Sequence, residues 1–460
     1  MKRFWLVLLS LGLALGFSTS AFAVDVKFSG SFYAAGMYLD KTNFISTYGP
    51  DAYSENTPKG YEVVSGPSTA FYYQRLRVGT DFIVSPGLKL VTRFDAMERI
   101  WGGVRSTTAI PPVADSQSAE TRTENQNIAF DHAYIQYDSP IGTFKVGYMD
   151  DLVWGTAFND SALPRGVLAW NKITGPWNFI VKVIKATDQS YSALNTTATN
   201  TDLDNDKYAA AVKYTWTSGE AGLLAAMYRN ATQRNTGVPA NDYLGQFYGL
   251  LPYAKAQIGP VKVQAELYYL WGDLNKYESA VGKDVKMSNL GVFVDAVADF
   301  GMVYGGGTFA YISGDNPDTT DKQEGSSPLV NGGLDWNPCL IMFNQDITYW
   351  AGAIPGYDPT SNSSPMNNAW FGQGRVGVKP IPALDIMASL SYAKADQIPT
   401  TVLEKAYGWE IDVTGTYKIT NNLSYMLGGA YLFTGDYYKG TNLNDVKDNF
   451  LIINKLTLTF

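Results

Sequence analysis

Apolar and polar side chains alternate along many short segments of this chain. In segment 88–101, apolar side chains recur at every second position, and lysine, arginine and aspartate occupy positions between them. Segments 70–84, 261–267 and 409–417 repeat the alternation. A two-residue period is typical of a β-strand whose two faces meet different surroundings. The pattern therefore predicts an all-β protein.

The alternating segments number about 18, and counting the short ones near Gly166 and Leu244 differently gives about 16. They occupy residues 28–39, 70–84, 88–101, 127–137, 143–149, 166–174, 177–186, 207–216, 222–230, 243–258, 261–271, 288–300, 302–312, 370–379, 384–393, 406–419, 423–434 and 449–460. Single-chain bacterial membrane barrels have an even number of antiparallel strands. Both counts are therefore compatible with a closed barrel.

Tight turns and long loops alternate between the predicted strands. The tight turns lie at 85–87, 139–142, 175–176, 217–220, 259–260, 380–382 and 420–422. The intervening loops are long, polar and rich in Asp, Asn, Thr and Ser. Short periplasmic turns and long extracellular loops are typical of outer-membrane barrels. The alternation therefore predicts a transmembrane, antiparallel up-and-down β-barrel with both termini on the periplasmic side.

The charged face of each strand is predicted to line the inside of the barrel. A charged side chain near the bilayer midplane costs roughly 2–4 kcal/mol, so rows such as that of Arg75 and Arg77 should face inward. About 18 strands with a charged interior enclose an aqueous channel unless a plug fills it. Glu98 and Asp131 depart from this parity, and a bulge, an interfacial position or a subunit contact would each explain them.

The last segment, 449–460, is apolar at alternate positions and ends on an aromatic residue, Phe460. At the edge of a soluble protein such a strand would invite aggregation, whereas in a closed barrel its edge is paired. This ending resembles the terminal strand of bacterial outer-membrane barrels, whose last residue is characteristically phenylalanine. The resemblance implies that Phe460 belongs to the barrel-closing strand.

The first 23 residues are expected to be a cleaved signal peptide. Two basic residues precede an apolar core at 4–17, and Ala21 and Ala23 fit a cleavage site. The apolar core is shorter than the ~18 residues that a spanning helix needs. Residues 24–460 are therefore expected to form the barrel in the bacterial outer membrane, in contact with its lipid and lipopolysaccharide.

Composition limits the possible partners and cofactors. The formal net charge is −8, which argues against nucleic acid as a partner. Cys339 is the only cysteine, so no internal disulfide can form, and no CxxCH motif attaches a haem. No cofactor is expected.

Two motifs between Asp131 and Arg165 carry a family likeness. HAYIQY at 132–137 and PIGTFKVGY at 140–148 resemble the fourth and fifth strands of Gram-negative trimeric porins, which are joined by a Phe-Gly turn. Tyr148 stands where those porins usually have arginine, so the contact that this arginine makes in the pore of those porins is not expected in this protein. The resemblance implies a homotrimer and a loop, near 150–165, that folds into the pore.

That loop carries three carboxylates and two large aromatic side chains. The predicted constriction residues are Asp150, Asp151, Trp154, Phe158 and Asp160. An inward fold would place their carboxylates opposite a basic ladder on the wall, formed by Arg75, Arg77, Arg93 and Arg99. Opposed charges across a narrow opening give a transverse field that favours small polar solutes. Alternatively, the ladder pairs with Asp81 and Asp95 on its own wall.

Catalysis and metal binding have less support in the sequence. His132 is the only histidine and no serine lies at an obvious partnering distance, so the chain is not expected to be an enzyme. A loop carries the candidate Ca²⁺ ligands Asp315, Asn316, Asp318 and Asp321. It lacks the EF-hand glycine and closing glutamate, and a solvated acidic loop is the alternative interpretation.

The sequence thus predicts an outer-membrane porin for passive diffusion of small hydrophilic solutes and ions. One alternative is a substrate-selective channel for sugars or aromatic compounds, in which Trp101, Trp154 and Trp170 stack on the solute. Another is a barrel that sheathes a partner, such as a cytochrome of an electron conduit.

Overall fold

The computed structural model describes residues 24–42, 44–46, 68–102, 128–160, 163–189, 202–234, 238, 241–279, 282–325, 336–347, 365–441 and 445–460. The expected signal peptide, 1–23, lies outside the described residues. Within the described part of the chain, no helix is long and apolar enough to cross a membrane.

Eighteen antiparallel strands close into one barrel, so the structure confirms the predicted architecture and decides against 16 strands. The strands are β1 (Asp25–Leu39), β2 (Thr69–Ser85), β3 (Leu88–Ile100), β4 (Ile128–Ser139), β5 (Gly142–Asp150), β6 (Pro164–Thr174), β7 (Trp177–Thr187), β8 (Asn205–Trp216), β9 (Gly219–Asn230), β10 (Tyr243–Ile258), β11 (Val261–Tyr277), β12 (Val285–Asp299), β13 (Val303–Ile312), β14 (Ala369–Ile381), β15 (Leu384–Ala395), β16 (Ala406–Lys418), β17 (Leu423–Thr434) and β18 (Asn449–Thr459). Short turns and long connections alternate between them.

The last strand closes the barrel against the first. β18 pairs with β17 on one side and with β1 on the other, in a register that runs from Ser31 opposite Thr459 to Leu39 opposite Leu451. Gly30 and Phe460 exchange two backbone hydrogen bonds, of 2.8 and 3.0 Å. The strand predicted to close the barrel therefore has a partner on both sides.

The outer face of the barrel is apolar, and aromatic side chains gather at both ends. Val413, for example, is 50% exposed on the outer face of β16, while the neighbouring Asp412 is buried inside. Outward aromatic side chains include Trp177, Tyr214 and Trp216 near the short turns, and Tyr269, Trp271, Tyr431 and Phe433 near the long loops. Aromatic rings at these two levels are typical of the girdles of membrane barrels.

Two bulges explain the charged residues whose parity was irregular. The pairing of β3 with β4 shifts after Arg93, and the extra residue Asp131 reaches Arg93 and Arg77 on the inner side. The pairing of β2 with β3 shifts beside Glu98, which lies 3.5 Å from Arg75. Asp131 is therefore part of the inner charge network, which leaves no reason to place it at a subunit contact.

Two segments fold into the barrel and pack against its inner wall. The first inward segment, 151–160, connects β5 towards β6, and the second inward segment, 336–347, belongs to the long connection between β13 and β14. They meet where the ring of Phe158 packs edge-on against Trp336, with ring centroids 5.1 Å apart. The hydrophobic core of the described residues lies largely between these segments and the wall.

Candidate functional site: the barrel lumen

The first inward segment crosses from β5 to the strands β10 and β11. Trp154 Nε1 donates a hydrogen bond of 2.8 Å to the carbonyl of Leu251, and its ring packs edge-on against Tyr253 at 5.1 Å. The ring also covers Gly222, where a Cβ would lie 2.8 Å from it. Only glycine permits this close approach, so the barrel wall is shaped to receive Trp154.

Phe158 anchors the far end of the same segment. Its side chain is 0% exposed and stacks on Phe293 with ring centroids 4.9 Å apart and an interplanar angle of 8°. Tyr268 stacks on it at 6.3 Å. Phe158 thus joins β11, β12 and the second inward segment into one aromatic cluster.

A buried carboxylate on the wall holds the backbone of the segment between these two aromatics. Thr156 donates its backbone N–H and its hydroxyl to Glu266 Oε2, at 2.7 and 2.5 Å. The Thr156 hydroxyl in turn accepts a hydrogen bond from the Phe158 N–H at 3.1 Å. Sequence reasoning placed Glu266 on an inner face but gave it no role, because its partner lies more than a hundred residues away in the chain.

The predicted loop carboxylates take different positions. Asp150 Oδ2 lies 3.3 Å from Arg93 Nη1 and 3.0 Å from His132 Nε2. Asp151 is 1% exposed and forms an ion pair with Lys207 on β8. Asp160 is partly buried after the short 3₁₀ helix Ala157–Asn159. Asp150 therefore forms an ion pair with the ladder, through Arg93.

The basic ladder is largely neutralised by carboxylates on neighbouring strands. Arg77 binds both oxygens of Asp95, at 2.7 and 2.6 Å, and Arg93 Nε lies 3.1 Å from Asp131. Arg99 is buried, and Asp81 pairs with Lys89 rather than with an arginine. The ladder therefore pairs along its own wall, as the alternative interpretation held for Asp95 but not for Asp81.

Three lysines lie in one row across the same wall. The strand register aligns Lys89 with Gln136, Lys145, Ala169 and Lys182 from β3 to β7. Lys145 Nζ lies 5.7 Å from the ring centre of Tyr134, and Lys182 Nζ donates to the backbone carbonyl of Asp151 at 2.6 Å. Within the described ranges, no carboxylate lies within 4.0 Å of the ammonium groups of Lys145 and Lys182. The row therefore gives this wall an excess of positive charge, which sequence reasoning missed because a register cannot be read from single strands.

A cavity lies near the short-turn end of the adjoining wall. Its volume is about 650 Å³, and it is lined from β8 to β12 by residues that include Trp216, Glu220, Lys255, Lys262 and Asp295. Side chains of both charge signs line it, together with aliphatic groups such as Val263 and Val297.

The second inward segment was not predicted. Both oxygens of Glu410 accept backbone N–H groups, from Ile341 and Met342, at 2.7 Å each. Gln373 Nε2 donates to the carbonyl of Pro338 at 2.7 Å, and Phe343 packs edge-on against Phe371. The apolar run CLIMF at 339–343, inside a long polar loop, was the signal that could have indicated burial.

The remaining candidates from the sequence lie away from an open pore. Trp101 stacks on Tyr72 at the outer rim, and Trp170 Nε1 donates to the carbonyl of Ile141 near a short turn. In the predicted Ca²⁺ loop, Asp315 and Asn316 accept backbone N–H groups of Glu324 and Asp318. Among the described residues, Asp315, Asp318 and Asp321 do not form a cluster that could hold a metal.

Comparison with known proteins identifies the fold. No protein-family model matches the sequence, and no curated protein matches it significantly. Pseudomonas aeruginosa OccK2 (OpdF) is similar in structure, with a TM-score of 0.51 and 11% identity, over 94% of this chain and 98% of that one. A BenF-like porin from Pseudomonas fluorescens Pf-5 gives 0.51 and 11%, over 95% and 99%. Pseudomonas aeruginosa OccK9 (OpdG) gives 0.51 and 13%, over 95% and 99%. The chain therefore has the closed β-barrel fold of outer-membrane porins.

Proposed function

We propose that the barrel is an outer-membrane porin through which small hydrophilic solutes, anions above all, diffuse down their own gradients. No chemical step is involved. The fold, the apolar outer face and the charged interior support a channel. Within the lysine row, Lys89 is paired with Asp81, so Lys145 and Lys182 carry the preference for anions.

In this proposal the first inward segment narrows the pore. Asp150, Asp151, Trp154, Phe158 and Asp160 belong to the narrowing, and Arg75, Arg77, Arg93 and Arg99 line the wall beside it. Trp154 and Phe158 fix the segment, while Asp150 is the carboxylate that meets the ladder. The ladder is paired, so the field at the constriction comes chiefly from the lysine row.

We also propose where the protein resides and how it assembles. An exported chain, cleaved after residue 23, would insert into the outer membrane in contact with lipid and lipopolysaccharide. The porin likeness of residues 131–165 favours a homotrimer. The apolar outer face is compatible with either lipid or a neighbouring subunit.

The inward segments argue against a barrel that sheathes a cytochrome. Segments 151–160 and 336–347 already occupy part of the lumen and are bound to its wall. A partner of the size of a protein would have to displace both. OccK2 has been crystallised in complex with glucuronate, so a sugar carboxylate is a suitable test solute for an anion-preferring pore.

The proposal is tested by ion selectivity in planar bilayers. Under a salt gradient, the reversal potential of the wild-type channel should indicate a preference for anions, and added glucuronate should reduce the chloride current. The double variant Lys145→Gln, Lys182→Gln should move the reversal potential towards cations. Lys283→Gln, which removes one lysine charge from an exposed loop, is the control for each single replacement and should leave the reversal potential nearly unchanged.

Two results would contradict the proposal in different ways. A purified, folded barrel without ion conductance would exclude a channel. If the barrel conducts ions but replacement of both lysines leaves its reversal potential unchanged, the protein is a porin without the proposed preference for anions.

A further inference from the structure

Cys339, Glu410 and Asp412 meet inside the barrel. Cys339 belongs to the second inward segment, and the two carboxylates point inward from β16. Their ligand atoms, one from each residue, all lie within 4.8 Å of one another. The three residues are 3%, 0% and 3% exposed, so bulk water does not solvate the group.

The two buried carboxylates have no basic partner. Within the described part of the chain, no ion pair involves Glu410 or Asp412. The sequence contains no lysine or arginine from Glu324 to Gly374, so the second inward segment, which packs over these carboxylates, carries no counter-charge. Buried charges in proteins are normally paired or bind metal ions.

The hydrogen bonds leave one acceptor of the group unused. Both oxygens of Glu410 accept N–H groups of the inward segment, and Asp412 Oδ2 accepts from Ser389 at 3.1 Å. Asp412 Oδ1 is buried and receives no hydrogen bond of regular geometry, and the Glu410 carboxyl and the Leu340 N–H are the polar groups closest to interacting with this carboxyl group. The thiol of Cys339 lies 3.3 Å from the Ser391 hydroxyl. A buried acceptor without a regular hydrogen bond, beside a thiol and a second carboxylate, is the environment expected of a cation site.

We propose that these three residues bind a divalent cation of borderline softness, with Zn²⁺ as the reference ion. Thiolates and carboxylates are both ligands of Zn²⁺, and a divalent ion would offset two of the three negative charges of the ionised group. On binding, the Cys339 thiol releases its proton to solvent and its sulfur becomes a ligand. The ion links the second inward segment to β16 and so fixes the part of the lumen that this segment occupies.

Because Cys339 is the only cysteine in the chain, a spectroscopic test is unambiguous. The full barrel, folded in detergent and stripped with a chelator, is titrated with Co²⁺. The expected result is a thiolate-to-cobalt charge-transfer band that saturates at one equivalent and disappears when Zn²⁺ is added. Absence of this band from folded wild-type protein would overturn the proposal, since the two carboxylates would then share a proton instead of a cation.

Two variants and a control locate the site. Cys339→Ser and Asp412→Asn should each lower Zn²⁺ affinity by at least tenfold in equilibrium dialysis, while Glu404→Gln, an exposed carboxylate beyond β15, should bind as the wild type does. The heat-modifiable mobility of each variant on gels verifies that its barrel is folded. Stoichiometric binding that survives both substitutions would place the ion elsewhere and overturn the assignment. These assays measure bound metal and not flux, so their failure would leave the proposed channel function intact.

Discussion

Thr156 gives two hydrogen bonds to one oxygen of Glu266, one from its backbone N–H at 2.7 Å and one from its hydroxyl at 2.5 Å. The two residues stand 110 positions apart in the sequence and join the first inward segment to the wall. A buried carboxylate that loses a donor incurs a desolvation penalty of about 1–3 kcal/mol. The position of the segment therefore depends on this contact, and in the proposed channel so would the width of the pore.

Removal of the hydroxyl should loosen the first inward segment. Thr156→Val keeps the shape of the side chain but removes one donor to Glu266 and the acceptor for the Phe158 N–H. We expect single-channel recordings to show more open-channel noise and frequent subconductance states. Thr156→Ser, which keeps the hydroxyl, should behave as the wild type does. Equal noise in the two variants would show that the hydroxyl does not hold the segment.

Truncation of the aromatic anchor should widen the pore. Phe158 is fully buried between Phe293 and Trp336, and truncation of a buried phenylalanine to alanine costs about 3–5 kcal/mol. Phe158→Ala should therefore release the segment from the wall and raise the single-channel conductance. Val153→Ala, at an exposed position in the same segment, is the control. An unchanged conductance in Phe158→Ala would mean that the segment does not limit flow.

The two adjacent aspartates should respond differently to neutralisation. Asp150→Asn leaves Arg93 one carboxylate short, so the reversal potential should shift further towards anions. Asp151→Asn leaves the partly buried Lys207 without its ion-pair partner, so its main effect should be a lower unfolding temperature. Recording both quantities for both variants separates the roles. A selectivity shift confined to Asp151→Asn would invert this assignment.

A charge on the outer face should impair folding into lipid. Val413 lies halfway along β16 on the outer face, and arginine near the bilayer midplane costs roughly 2–4 kcal/mol. Val413→Arg should therefore reduce the stability of the folded barrel in lipid vesicles by about that amount. Thr416→Arg places the same charge on the inner face of the same strand and should cost much less. Equal effects of the two substitutions would mean that the outer face does not meet hydrocarbon.

The strands could be predicted closely because each depends on local information. Segments 243–258 and 423–434 were predicted with the ends that the structure shows, and most other predicted strands differ from the structure by a few residues at either end. A strand between lipid and water must alternate apolar and polar side chains, and a turn needs glycine, proline or serine. Both patterns can therefore be recognised from residues that are close together in the sequence. That the last strand closes the barrel could be predicted from the sequence for the same reason.

The irregular parity of Asp131 and Glu98 shows where local information ends. A bulge is set by the pairing of two strands, so the sequence could offer it only as one of several explanations. The same limit hid the row of Lys89, Lys145 and Lys182, since register belongs to the whole sheet. The sequence predicted which carboxylates lie in the loop. Which of them forms an ion pair with the basic ladder depends on distances between strands, which the sequence does not give.

By itself, then, the sequence determined the class of fold and, apart from Asp131 and Glu98, which face of each strand carries charge, and it limited the number of strands to about 18 or about 16, between which the structure decided for 18. The tertiary structure alone decided which inner side chains neutralise one another, that Glu266 holds the first inward segment, and that a second segment brings Cys339 to Glu410 and Asp412. The physical reason is the range of the interactions. Alternation and turns act between neighbours in the chain, whereas ion pairs and ligand clusters form between residues that only the closed barrel brings together.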